Sequence, residues 1–291
     1  MKPAAFEYQS AQSAEHAIQL LIEGGEDARL LAGGQSLVAM MNFRIARPTV
    51  LIDLSRCNDL DYVRLEGESL CIGAMTRQRT AQEHVLIRKH CPLLSLILSH
   101  AGPATIRNRG TVGGSIANGY PVAHLPASAV CLSAIFIVQG VKGRRHASAA
   151  DFFLNAMSTD LAPGEILREC RFPLMDVSDR YFFREIANHI GGSAVCLVVM
   201  RAKYDKIGRT KSIDTVVSGF TGTPLRLANF ESIVSDALNV DEMREAIDSD
   251  FHAAIPPDER DDHSTYVADV CRTMVIQGIS LLHHNKRLLY E

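Results

Sequence analysis

Metal-ligand spacings are missing from this sequence. Its seven cysteines lie at 57, 71, 91, 131, 170, 196 and 271, far apart from one another. Neither a zinc site nor an iron–sulfur cluster is therefore expected in the chain. An odd number of scattered thiols in a reducing compartment reads instead as buried apolar side chains. The eleven histidines are scattered too. His283 and His284, at the end of a predicted helix, suit the helix dipole better than a metal. Long apolar runs are also lacking, and Ala194 to Met200 is far too short to span a bilayer. The start, Met1-Lys2-Pro3-Ala4-Ala5-Phe6-Glu7, has no apolar signal-peptide core, so a cytoplasmic location without a membrane span is the expectation. Charge of one sign is not in excess. With 30 Lys and Arg against 33 Asp and Glu, the net charge of −3 gives nucleic acid and anionic membranes no footing. No internal repeat or low-complexity tract is visible.

What is present is a chain of 291 residues, 47% hydrophobic and 22% charged, enough for two globular domains of ordinary size. Two glycine segments dominate it. One is Leu31-Ala32-Gly33-Gly34-Gln35-Ser36-Leu37, the other Arg107-Asn108-Arg109-Gly110-Thr111-Val112-Gly113-Gly114-Ser115. A lone Gly-Gly pair is ordinarily only a tight turn. Two of them, each with a hydroxyl just after the pair, point further. Backbone N–H groups free of Cβ obstruction can converge on an anion, and hydroxyls add donors. A ligand with a diphosphate held between two chain segments is the reading. Arg107 and Arg109 fit such an anion, and fit a solvated surface equally well.

Ser13 predicts a helix running to Gly24-Gly25, and Ala28–Leu31 a strand entering the first glycine turn. A helix over 37–43 and a strand over 49–54 complete a β-α-β start. Its glycines do not follow the G-x-G-x-x-G order of a Rossmann turn, which excludes that fold. A hairpin turns at Glu66-Gly67, helices cover 80–88, 92–100 and 125–132, and strands 135–138, 144–147 and 166–172 follow. Residues 174–180 read as a domain boundary. Beyond it, 194–203 pairs with 211–220, Pro224 ends the sheet, and three helices follow. The last, over 262–289, lines up Val267, Val270, Cys271, Met274, Gly278, Leu281 and Leu282 as a core stripe, with Lys286 and Arg287 near its end.

With these segments in hand, the chain resembles the FAD-binding medium subunit of molybdenum hydroxylases. The likeness rests on Asp27 to Leu37, Arg47-Pro48, Ile52-Asp53-Leu54, Ile72-Gly73-Ala74-Met75-Thr76, Ile106 to Ala117 and Leu161 to Leu167, all in the family's order. It implies an α+β fold: a two-part FAD-binding domain of vanillyl-alcohol-oxidase/MurB type over 1–176, followed by a smaller α+β C-terminal domain over 177–291. It implies FAD in this chain, bound through Leu31, Ala32, Gly33, Gly34, Gln35, Ser36, Arg107, Gly110, Thr111, Gly113, Gly114 and Ser115, with Leu161 near the flavin ring. It implies a large molybdopterin subunit, a small subunit with two [2Fe-2S] clusters, a dimer of heterotrimers, and electrons leaving to an external acceptor. The substrate would be an N-heterocycle or related alkaloid. No nucleophile, general base or metal ligand is nominated.

The chain departs from the family pattern in two places. Relatives often carry Ala-Asp-Pro and then an Asp before Leu-Pro, where this chain has Tyr120-Pro121 and His124 before Leu125-Pro126. Relatives often carry a basic residue and then Gly-Asp-Tyr or Gly-Asp-Phe, where this chain has Glu185 and then Gly191-Gly192-Ser193. His124 is nominated to supply a hydrogen bond to the flavin in place of the lost carboxylate. A surface histidine on a tolerant loop is the plainer alternative. Two other functions stay open at this point: a self-contained FAD oxidase, and a scaffold subunit that has lost flavin.

Overall fold

Sheets of three, five and four strands carry an α+β fold, seen in a computed structural model that describes residues 2–189, 192–233 and 239–283. The first sheet is parallel, with Glu7–Ser10 and Ala28–Leu31 flanking Val50–Asp53. Ser13 starts the helix Ala14–Glu23 as expected, its side chain accepting the His16 N–H at 3.2 Å. That helix buries Ala14, Ala17 and Ile18 in a small core with Ile52, Leu54 and Leu60. The glycine turn follows strand Ala28–Leu31 directly and enters the short helix Leu37–Asn42. It therefore sits at the carboxyl end of a parallel strand, where open sheets place their ligands.

The second sheet is antiparallel, in the order Val63–Glu66, Ser69–Gly73, Ile166–Pro173, Ile135–Gly140, Gly143–Ser148. The Glu66-Gly67 hairpin is present, with Gly67 at φ +58°. Leu70, Ile72, Phe136, Val138, Cys170 and Phe172 pack with the helices Pro92–His100 and His124–Cys131 in the largest core.

The third sheet runs Arg180–Ala187, Ala194–Tyr204, Thr210–Ser218, Leu225–Arg226. Its long strand is apolar on both faces. Leu197 and Val199 join the core of the second sheet, whereas Cys196, Val198 and Met200 join a separate core under the helix Asp262–His283. Alternation along a strand sends neighbours to opposite faces. One sheet thus closes two cores and packs across the expected 176/177 division.

Several expectations change. Residues 80–88 are not one helix. Gln78–Glu83 and Val85–His90 are separated by extended backbone at His84, whose side chain caps the second. Pro224 does not end the sheet, since Leu225–Arg226 pairs with Val216–Val217. A proline ahead of a short edge strand withholds no ladder donor. Strands Glu7–Ser10 and Arg180–Ala187 were not anticipated. Val267, Cys271, Met274 and Leu282 are core, with Val270 and Leu281 packed against it. The helix end at His284, Lys286, Arg287 and Leu289 lies outside the described residues. Among those described, no helix is long and apolar enough to cross a membrane. All seven cysteines are buried free thiols, and burial pushes Cys91 up to about 12.

Candidate cofactor site

The two glycine segments touch. An ideal Cβ on Gly33 would stand 2.3 Å from the Arg109 carbonyl oxygen and 2.8 Å from Gly110 Cα. Gly113 lies equally close to strand Ser69–Gly73 and its exit, where a Cβ would stand 2.4 Å from Ala74 Cβ. These glycines let one stretch of backbone press on another. Gly34, at φ +74°, is the residue that makes the turn itself.

The segments differ in their free donors. In the first, the amides of Gly33, Gly34, Gln35 and Ser36 find no protein acceptor among the described residues. Ser36 stands at the N-cap of Leu37–Asn42 without a side-chain cap bond, so its hydroxyl is also available. Gln35 Nε2 donates back to the Gly33 carbonyl at 3.1 Å. The second segment is not a loop of open amides. It is the end of helix Ala104–Arg109, a bend at Gly110, and the start of helix Val112–Asn118. Val112 N–H donates to Thr76, Gly113 N–H to Ala74, Gly114 N–H to Thr111 Oγ1 at 3.0 Å, and Ser115 N–H to the Thr111 carbonyl. The expectation of two similar anion nests is corrected here: the first turn offers backbone, the second offers shape and the Ser115 hydroxyl.

Between them opens a cleft of about 710 Å³. It brings together Ala32, Gly33, Gly34, Gln35, Ser36, Gly110, Thr111, Gly113, Gly114, Ser115, His124 and Leu161. Leu31 lines a smaller recess on the outer side of the turn, with Arg77 and Arg109. Arg107 lines neither, because its guanidinium bonds the Gly102 carbonyl and Gln82 Oε1. Sequence reasoning did not assign the apolar walls Leu30, Leu54, Pro103, Ile106, Ile166 and Leu167 to the site. All but Pro103 lie within the segments that carry the family likeness, but as apolar residues they gave no separate sign of lining a cleft. Gly192 and Ser193 line the cleft, and Gly191 lies outside the described residues.

The two departures from the family pattern meet in space. His124 Nε2 lies 2.8 Å from Glu185 Oε2, and His100 Nδ1 lies 3.3 Å from Glu185 Oε1. His124, on the tolerant-loop alternative, would be exposed, but it is 7% exposed, at the start of helix His124–Cys131. Both imidazoles pack against Phe183, His100 edge-on and His124 tilted. The two positions that depart from the family pattern therefore pair with each other in this chain, a histidine on one and a carboxylate on the other. Burial alone would push Glu185 up. Hydrogen bonds from His100 and His124, and then their charges, outweigh it and hold Glu185 at about 2.

An α+β frame with this cleft puts the chain in a class, the FAD-binding components of oxidoreductases, and the comparisons agree. Residues 4–175 match the family model described as FAD binding domain in molybdopterin dehydrogenase. The 6-hydroxypseudooxynicotine dehydrogenase complex subunit alpha of Paenarthrobacter nicotinovorans is 31% identical over 288 residues, 99% of this chain and 97% of its own. The carbon monoxide dehydrogenase medium chain of Hydrogenophaga pseudoflava is 32% identical over 284 residues, 96% of this chain and 98% of its own. The solved carbon monoxide dehydrogenase of that organism, in a form lacking the Mo-pyranopterin moiety, superposes with a TM-score of 0.89 at 30% identity, over 96% of this chain and 98% of that one. The chain belongs to this family, the FAD-binding medium subunits of molybdenum hydroxylases.

Proposed function

We propose that this chain takes electrons from an iron–sulfur subunit and passes them to an external acceptor, as the flavoprotein subunit of a molybdenum hydroxylase. The observation that carries the site assignment is the run of unpartnered amides at Gly33, Gly34, Gln35 and Ser36, on the wall of a cleft of about 710 Å³. A cleft of that volume suits an organic cofactor, and converging N–H groups at the end of a parallel strand favour an anion. The residues present therefore fit FAD. The amides hold the diphosphate, and the Ser36 and Ser115 hydroxyls donate to it. Gly110, Gly113 and Gly114 bring the second wall close enough, Thr111 caps the helix behind it, and Leu31 and Ala32 fix the turn to its strand. Leu161 flanks the flavin ring. His124, braced by Glu185, stands at the cleft wall in place of the carboxylate common in relatives. When bound, FAD supplies exchange between one-electron and two-electron redox partners.

In this reading 1–176 form the flavin-binding unit and 177–291 the C-terminal unit. The companions are a small subunit with two [2Fe-2S] clusters and a large molybdopterin subunit, assembled as a dimer of heterotrimers. The relative named for 6-hydroxypseudooxynicotine supports an N-heterocycle or related alkaloid as the substrate of the complex. The test is purification of the native assembly. It should contain FAD, iron and molybdenum together and oxidise a nitrogen heterocycle with a dye as acceptor. A colourless assembly, or one without iron and molybdenum, overturns the reading.

A narrower expectation concerns Ser36. Its hydroxyl makes no helix-capping bond and no other hydrogen bond among the described residues, so Ser36→Ala should leave thermal stability unchanged. One hydrogen bond to a charged group is worth about 1.5–3 kcal/mol, so FAD should bind roughly tenfold or more weakly by fluorescence titration. Unchanged affinity would remove Ser36 from the diphosphate site.

A further inference from the structure

Among the described residues that line the cofactor cleft, only Arg29, Tyr120 and His124 carry ionisable side chains. Arg29 Nη1 donates to the Glu26 and Ala28 carbonyls, and a guanidinium keeps its proton throughout. A phenol gives up its proton only in alkali, whereas an imidazole exchanges one near neutrality. His124 is therefore the lining residue suited to exchange protons with a ligand.

Its surroundings decide which atom does so. Nε2 lies 2.8 Å from Glu185 Oε2, and Glu185 is held ionised. A carboxylate only accepts, so Nε2 carries a proton and donates it. No hydrogen bond among the described residues uses Nδ1. The proton that comes and goes is then the one on Nδ1, in a ring whose orientation Glu185 fixes. His100 Nδ1, at 3.3 Å, engages the other oxygen of Glu185.

The other charged groups around helix His124–Cys131 are paired or lie further off. Arg201 and Asp214 bond each other at 2.7 Å beside Cys131, at the far end of the helix, and Arg226 joins the same carboxylate. Helix Val112–Asn118 brings no charge, and Asp151 of helix Ala149–Phe152 is exposed. His189 stands beside Gly192 at the cleft.

We propose that His124 exchanges a proton with the flavin ring through Nδ1, with Glu185 as its positioning residue. The proposal rests on the reading above, in which FAD fills the cleft and electrons arrive singly from an iron–sulfur subunit. Such electrons bring no protons. When two of them have entered the ring, the Nδ1–H bond of His124 breaks and an N–H bond forms on the ring. The imidazolium becomes a neutral imidazole, still donating from Nε2 to Glu185. On reoxidation Nδ1 is protonated again.

The test counts protons in the full chain, loaded with FAD and freed of unbound cofactor. The flavin is reduced with methyl viologen radical, a one-electron donor that carries no proton, in weakly buffered solution with a pH indicator. At acid pH wild type gives the ring a proton it already holds, whereas His124→Gln must draw that proton from solution. Wild type should therefore take up one proton fewer per electron pair than His124→Gln at about pH 5, and the same number at about pH 8. Glu185→Gln keeps an acceptor for Nε2 but loses the charge that favours the imidazolium. Its change from one count to the other should fall about one pH unit or more below that of wild type, a shift that a merely structural role would not produce. Equal counts for wild type and His124→Gln at acid pH overturn the proposal. So does a Glu185→Gln protein that changes count at the wild-type pH, a result that stands even where the histidine variant holds no flavin. A wild-type chain that binds no FAD overturns instead the reading on which the proposal rests.

Discussion

Gly33→Ala should yield a folded protein that is purified with much less flavin than wild type. The added methyl group would sit 2.3 Å from the Arg109 carbonyl oxygen and 2.8 Å from Gly110 Cα. Both obstacles are backbone, so no side chain can swing aside. The two glycine segments must part by close to an ångström for the atoms to reach van der Waals separation. Overpacking of this kind costs about 1–3 kcal/mol, which the cores can bear. In the proposed site the cleft wall is less tolerant, because the amides of Gly33 to Ser36 and the hydroxyl of Ser115 would have to act on the same ligand. FAD affinity should fall on the order of a hundredfold, about 2.8 kcal/mol at 1.4 kcal/mol per decade. Visible absorbance of the purified protein and a thermal melt would measure both effects. Gly67→Ala is the matched control. It forces a side chain into φ +58° at an open hairpin tip with nothing nearby. It should cost about 1 kcal/mol of stability through strain and leave flavin content intact. A Gly33→Ala protein that stays fully yellow would dismiss the contact between the two segments as functionally neutral.

The first glycine segment was legible because its local signals agree. An apolar strand, a glycine pair and a hydroxyl at a helix start all describe the same turn, and Ala28–Leu31 and Leu37–Asn42 flank it as read. The second was legible as important but not as a shape. Gly110, Gly113 and Gly114 read as a loop, yet Gly113 and Gly114 are helical. Gly113 faces Ala74, a neighbour set by the fold, and Gly114 faces Thr111 Oγ1, the cap of its own helix; each lies within 3 Å of where a Cβ would be. Strand Arg180–Ala187 was missed for a related reason. Its sequence, Arg-Tyr-Phe-Phe-Arg-Glu-Ile-Ala, does not alternate cleanly, since Phe182 and Phe183 serve different cores. His124 and Glu185 were each visible as a departure from a pattern. That they are one feature required bringing residues 61 positions apart to 2.8 Å.

Replacing Glu185 with Gln should flatten the acid limb of the stability curve. The carboxylate is held at about 2 by His100 and His124 against the opposing effect of burial, while in the unfolded chain a Glu titrates near 4.3. A depressed folded-state value means that the unfolded chain takes up the proton first as pH falls. The stabilisation is therefore complete above about pH 4.3 and disappears as pH drops through about 2. A difference of somewhat over two units is worth roughly 3 kcal/mol at 1.36 kcal/mol per unit, near a hundredfold in the folding equilibrium. Urea unfolding of the two proteins at pH 6, 4 and 3 should give curves that differ most at pH 6 and converge toward pH 2. Parallel curves would mean that the pairing holds no charge. The consequence reaches the cofactor because of where the three residues sit: His100 ends the helix Pro92–His100, His124 opens His124–Cys131, and Glu185 lies on Arg180–Ala187. One carboxylate ties the helices of the largest core to the third sheet, at the wall of the cleft. Glu185→Gln should accordingly weaken FAD binding at pH 6 along with stability, whereas a mutation that lowers stability in the helix Val240–Ala254, which contributes no cleft residue, should leave FAD affinity alone.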